Sequence, residues 1–115
     1  MAQYVSGKIL FQEIVKSKER GQLTPEALIL LDRMVKEISK IFSYKLEEDK
    51  EDCQAFAMED VIRYWNRFDP TKSTNAFAFY TQMIKHGFAK GWRKLYPIKS
   101  TQKVSISGEK GIYNI

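Results

Sequence analysis

RFDPTKSTNAFAFYTQMIKHGFAKGWRKLY, residues 67–96, contains a helix stop, a helix start and one helix with two unlike faces. Asp69 precedes Pro70, and the residue before proline is pushed out of the helical region. Ser73, Thr74 and Asn75 then offer N-caps for a new helix. At about 100° per residue, Phe77, Tyr80, Ile84, Phe88 and Leu95 fall on one side, with Trp92 at its margin. That is the spacing of a core stripe. The opposite side carries Phe79, Gln82, Met83, His86, Lys90, Arg93 and Lys94. Core packing gives no reason for an aromatic among cations on an outer face. Single-stranded nucleic acid does, because bases stack on rings while Lys and Arg follow the phosphates.

Upstream, residues 51–68 read as a third helix. Cys53, Ala57, Val61, Tyr64, Trp65 and Phe68 form its inward flank, and Asp52, Phe56, Glu59, Arg63 and Asn66 its outward one. Phe56, an aromatic within a charged face, is either a binding hot spot or a ring folded back onto a neighbouring helix. Ser43 to Lys50 reads as a connector with an acidic run from Glu47. Before it, Thr24-Pro25-Glu26 is a strong helix start: a cap, a proline suited to the first position, and an acid at the positive end of the dipole. This second helix runs to about Phe42, with a stripe of Ala27, Leu31, Met34, Val35, Ile38, Ile41 and Phe42.

The first helix spans Tyr4 to Glu19, with Ile9, Leu10, Phe11 and Ile14 as apolar positions and Gly21 as C-cap. In the fourth helix Gly87 and Gly91 each cost about 1 kcal/mol relative to alanine, which close approach to another helix would offset. Residues 98–115 are polar and poorly periodic, with Val104, Ile106, Ile112, Tyr113 and Ile115 as scattered apolar points. They read as a loosely ordered tail or a short hairpin. The expected fold is all-α: a compact bundle of about four helices over residues 1–97, followed by the tail 98–115.

A hydrophobic content of 43% over 115 residues is that of an ordinary globular domain with a real core. One cysteine and one histidine allow neither an internal disulfide nor a His/Cys metal site, and no cofactor is expected. Without a spanning apolar run or a signal segment, the expected location is the cytoplasm, with no membrane partner. The net charge of +5 conceals an asymmetry. Residues 1–60 hold nine Lys/Arg against twelve Asp/Glu, whereas residues 61–115 hold ten against two. A chain divided in this way suggests two partners of opposite character, with nucleic acid for the basic half.

Four helices with F-D-P between the last two and F-x-x-Y on the final one resemble the conserved second region of bacterial sigma factors. Residues 27–95 correspond to that core. The segment ALILLDRMVKEISKIF resembles the family's first conserved helix, and EDCQAFAMEDVIRYWNRFDP the helix that docks on RNA polymerase. Similarity to the late-gene sigma factors of T-even-type bacteriophages extends to residues 4–96. It rests on Tyr4 to Ile14, on S-K-x-F ending at Phe42, and on Y-T-Q with Phe88 beyond it. The chain departs from housekeeping members at two places. Met83 and Ile84 stand where they carry a Trp pair, and Ala55, Phe56 and Met58 where they carry a Gln-Glu pair and an Asn.

The resemblance implies a non-enzymatic initiation factor in the cytoplasm of an infected bacterium. It would bind the core polymerase through the clamp helices of the largest subunit. It would also melt an A/T-rich promoter element by holding the non-template single strand. Phe79 and Tyr80 are the candidates for base contact: Tyr80 matches the family's tyrosine by spacing, while helical geometry turns Phe79 outward. Lys72, Lys85, His86, Lys90, Arg93 and Lys94 would hold phosphates, with Phe77, Gln82 and Met83 beside them. Asp52, Phe56, Glu59, Asp60 and Arg63 are the candidates for the polymerase, whose Arg-rich clamp helices an acidic face complements. The phage factors also use an acidic, aromatic C-terminus on a sliding clamp, and G-I-Y-N-I at residues 111–115 is a faint echo of it. Two other classes remain: a nucleic-acid-binding adaptor or regulator acting without polymerase, and a small nuclease. His86 has no orienting neighbour in sequence, and the acidic run from Glu47 to Asp52 lacks the convergence a metal nuclease needs.

Overall fold

The computed structural model describes residues 5–96 of the chain. Four α-helices follow in order: α1 (Gly7–Arg20), α2 (Pro25–Ile38), α3 (Glu47–Tyr64) and α4 (Ala76–Leu95). Single 3₁₀ turns, Ser39–Ile41 and Trp65–Arg67, close α2 and α3. The fold is an all-α bundle. The tail from residue 98, and Tyr4, lie outside the described residues.

Local chemistry sets the boundaries. Ser6 caps α1 by accepting from the Ile9 amide at 3.3 Å, and Gly21 ends it in the left-handed region at φ 81°. Thr24 caps α2, accepting from the Ala27 amide at 3.0 Å while its hydroxyl donates to Glu13. Its own amide donates to the Ser17 hydroxyl at 3.0 Å, so one buried threonine ties α1 to α2. Asp69 accepts from the hydroxyl and the amide of Thr71, and these two bonds hold its carboxyl below the usual range. Asn75, of the three possible caps, accepts from the Ala78 amide and starts α4.

α3 begins at Glu47, four residues earlier than the sequence suggests, so the supposed acidic connector is its first turn. No side chain caps that end. Glu47, Glu48 and Asp49 lie there instead, against the positive end of the helix dipole. α2 stops at Ile38 rather than Phe42, because the chain tightens into the 3₁₀ turn. Ile9, expected inside, is half exposed; Leu10, Ile14 and Ser17 form the buried side of α1.

α3 and α4 form the principal packed pair, while α2 touches both and α1 touches α4 and α2. A Cβ at Gly87 would stand 2.8 Å from the Ala57 Cα, which is why glycine is needed where the two backbones meet. Leu31, Met34, Ile38, Val61, Tyr80, Ile84 and Phe88 are fully enclosed around this contact. Burying each such aliphatic or aromatic side chain contributes roughly 1.5–3 kcal/mol. Phe42 stacks on Phe88 with centroids 5.2 Å apart, and Phe68 lies 5.9 Å from Tyr80. The last turn of α4 braces the segment before α3. The Trp92 indole donates to the Ser43 carbonyl, and the Tyr96 phenol joins Asp49 and accepts from the Lys45 amide. Among the described residues no helix is long and apolar enough to cross a membrane.

Candidate nucleic-acid interface

α4 puts its outer residues where its turns dictate. Gln82, His86, Lys90, Arg93 and Lys94 are exposed, Phe79, Met83 and Lys85 are half-buried, and Lys72 is exposed in the preceding loop. Phe79, Gln82, Met83, His86 and Lys90 form one wall of an open cleft of about 520 Å³. Asp60, Tyr64 and Arg67 form the other. The Phe79 ring leans on Phe68 at 5.3 Å and meets Tyr80 edge-on at 5.1 Å, which fixes it while leaving part of it open to the cleft.

The two registers proposed for base contact separate here. Tyr80 is fully buried, its hydroxyl donates to the Trp65 carbonyl at 2.6 Å, and burial raises its phenol pKa. It cannot reach a base, so that expectation is corrected. The F-x-x-Y spacing places Tyr80 on the core side of α4, and Phe79 is the accessible ring. Phe77 is half-buried against the core cluster, as are Phe79 and Met83, but unlike them it does not line the cleft.

Several cations are engaged within the protein. Lys90 pairs with Asp60 at 2.9 Å, and the Lys94 ammonium lies 5.0 Å over the Phe56 ring. Asp60 is 8% exposed, which removes it from the outward docking set: α4 covers it because the Gly87 backbone comes so close. Phe56 follows the packing alternative. Its ring fills the space left by Gly91, where an added Cβ would meet it at 2.8 Å. Asp52, Glu59 and Arg63 remain exposed, with Glu59 and Arg63 3.6 Å apart one turn from each other.

Two features escaped the sequence reading. Ala55, Met58 and Ile62 form an apolar strip on the outside of α3, flanked by Glu59 and Arg63 in an open groove of about 550 Å³. Ile62 is 56% exposed. Through Ala55 and Glu59 the strip continues into a second depression beside Asp52, Phe56, Lys94 and Leu95. Its i, i+3, i+7 spacing was the available signal. The second feature is Tyr64 with Arg67, which was masked by reading Tyr64 as inward; it is half-buried and lines the cleft.

None of the family models, curated proteins or solved structures with which the chain was compared matches it.

Proposed function

We propose that this protein is a sigma-type transcription initiation factor acting in late phage gene expression. It holds a separated promoter strand at the α3–α4 cleft while the outside of α3 docks on a bacterial RNA polymerase core. The observation that carries the reading is the pair of separate surfaces on one closely packed helix pair. One offers an aromatic ring among cations; the other offers an apolar strip edged by Asp52, Glu59 and Arg63. The assignment to sigma factors rests on four helices with F-D-P, residues 68–70, between the last two and F-x-x-Y, residues 77–80, on the final one.

The chemistry required is capture. An A/T-rich segment opens transiently, and an unstacked base meets Phe79 while His86, Arg93, Lys85 and Lys72 attract the backbone. Stacking supplies about 1–3 kcal/mol per base, comparable with the few kcal/mol that unstacking one base costs. Two or three such contacts therefore shift the equilibrium towards open DNA once polymerase holds the duplex. The Lys90–Asp60 pair, 2.9 Å apart in the cleft wall, carries no net charge to draw a phosphate inward there. The apolar strip suits a helical partner whose Arg or Lys side chains meet Asp52 and Glu59. Contact of the tail with a sliding clamp or co-activator belongs to the same proposal and lies outside the described residues.

The test is to combine the protein with promoter DNA, with and without core polymerase. Weak binding alone and start-site-specific transcription with core are expected. Tight duplex binding by the protein alone, with no gain from core, would instead mark an adaptor that works without polymerase.

A further inference from the structure

Tyr64 and Arg67 belong to neither surface as the sequence defined them. α3 leaves α-helical geometry at Tyr64, with φ −119° and ψ 8°, and tightens into the 3₁₀ turn Trp65–Arg67. Side chains three apart eclipse in such a turn. This lays the Arg67 guanidinium 4.1 Å over the Tyr64 ring, with Arg63 at 5.9 Å from the same ring. The turn is fastened by other helices. Tyr80 of α4 donates to the Trp65 carbonyl at 2.6 Å, and Lys18 of α1 donates to those of Asn66 and Phe68 at 2.7 and 3.0 Å. The stack is thus pre-formed: its geometry is imposed by the core, and Arg67 itself is exposed.

We propose that the Tyr64–Arg67 stack is a second contact for the same single strand, across the cleft from Phe79. The planar guanidinium, backed by the tyrosine ring, stacks on one base while its N–H groups hold the adjoining phosphate. Phe79 takes a nearby base, so the strand crosses from α4 to α3 at the cleft. Tyr80 is then a positioning residue: it never meets the strand and acts by holding the turn. The proposal rests on the single-strand reading given above and adds the path of the strand to it.

The experiment measures fluorescence anisotropy of a labelled A/T-rich single-stranded DNA with the full chain, over a series of salt concentrations. Arg67→Ala and Tyr64→Leu should each weaken binding roughly tenfold, the size of a lost stacking contact. Arg67→Ala should also flatten the salt dependence by about 0.7 in log–log slope, one phosphate contact on a single strand. Arg67→Lys keeps the charge and loses the plane, so it should retain the slope and still bind several-fold more weakly. Tyr80→Phe should weaken binding at unchanged slope. Wild-type affinity in the Arg67 variants, with weakened binding in Phe79→Ala, overturns the crossing path and leaves the single-strand reading standing. No binding of single strands by the wild-type chain at low salt overturns both. Arg67 is exposed, so its variants decide the matter even if Tyr64→Leu fails to fold.

Discussion

Lys90 Nζ lies 2.9 Å from Asp60 Oδ2 and 3.0 Å from Oδ1, so α3 holds a cation in the middle of the outer face of α4. The two partners are unequal: the lysine side chain is 51% exposed and the aspartate 11%. Lys90→Ala strands a nearly enclosed carboxylate and should cost about 1–3 kcal/mol. Asp60→Asn preserves shape, costs less, and frees Lys90 to strengthen binding of single-stranded DNA at low salt. Urea denaturation and anisotropy measure both effects; equal destabilisation, or no gain in affinity, would refute the asymmetry.

Phe79→Ala should impair transcription from a duplex promoter and spare a template already opened as a bubble. Its ring supplies stacking that matters only while bases are being captured, about 1–3 kcal/mol or roughly five- to 150-fold. An equal loss on both templates would show that the ring acts elsewhere in initiation.

The outside of α3 gives a test of docking that stability does not confuse. Ile62→Asp alters a side chain already 56% exposed, so the melting temperature should hardly move while core polymerase is lost in a pull-down. Glu59→Arg should weaken the same association through charge. Phe56→Ala should lower stability as well, since its ring fills the space beside Gly91. Full retention of polymerase by Ile62→Asp would move the docking surface off this strip.

The two helix glycines should respond differently to a methyl group. At Gly87 the new Cβ meets the Ala57 backbone at 2.8 Å, so the helices must separate, at about 1–3 kcal/mol. At Gly91 it meets the Phe56 ring, which can turn, and the gain in helix propensity of about 1 kcal/mol offsets part of the cost. Thermal melts of the two alanine variants compare these directly. A Gly91→Ala variant as unstable as Gly87→Ala would show that the ring cannot yield.

Alkaline pH should unfold the bundle. Burial, aided by Asp49 and Asp52, pushes the Cys53 thiol up to about 11, and burial also raises the phenols of Tyr44 and Tyr80. The folded chain keeps protons that the unfolded chain releases near roughly 8.5 for cysteine and 10 for tyrosine. This stabilisation is complete below those unfolded values and is lost as pH rises through them towards the folded ones. The urea midpoint should fall above about pH 8.5, and Cys53→Ala should remove the earliest part of the fall. A flat midpoint up to pH 10 would contradict the cause given. At neutral pH the enclosed thiol should resist alkylation until the chain unfolds.

The helices and their faces were legible wherever periodicity and capping agreed: Thr24-Pro25, Gly21 and the stripe Tyr80–Ile84–Phe88 all stand where the pattern puts them. The start of α3 was not, because an acidic run reads as a polar connector unless its attraction to the helix dipole is weighed. The candidate site was legible in outline on α4 and poorly on α3. Periodicity tells which residues share a face, but the outward flank of α3 divides between α4, which covers Asp60 and part of Phe56, and solvent, which keeps Ile62. The eclipsed Tyr64–Arg67 pair depends on a 3₁₀ turn that hydrophobic spacing does not reveal.

The ties at the end of α4 bear on how the chain matures. The Trp92–Ser43 and Tyr96–Asp49 bonds join residues 49 and 47 positions apart, and Lys18 reaches the carbonyl of Phe68 across 50. Closing such long loops is slow relative to forming local helix. While the chain is being synthesised, α1 to α3 lack the helix that fills the centre of the bundle, and the first turn of α3 has nothing to anchor it. The contacts that brace the start of α3 can therefore form only once residues 92–96 are in place.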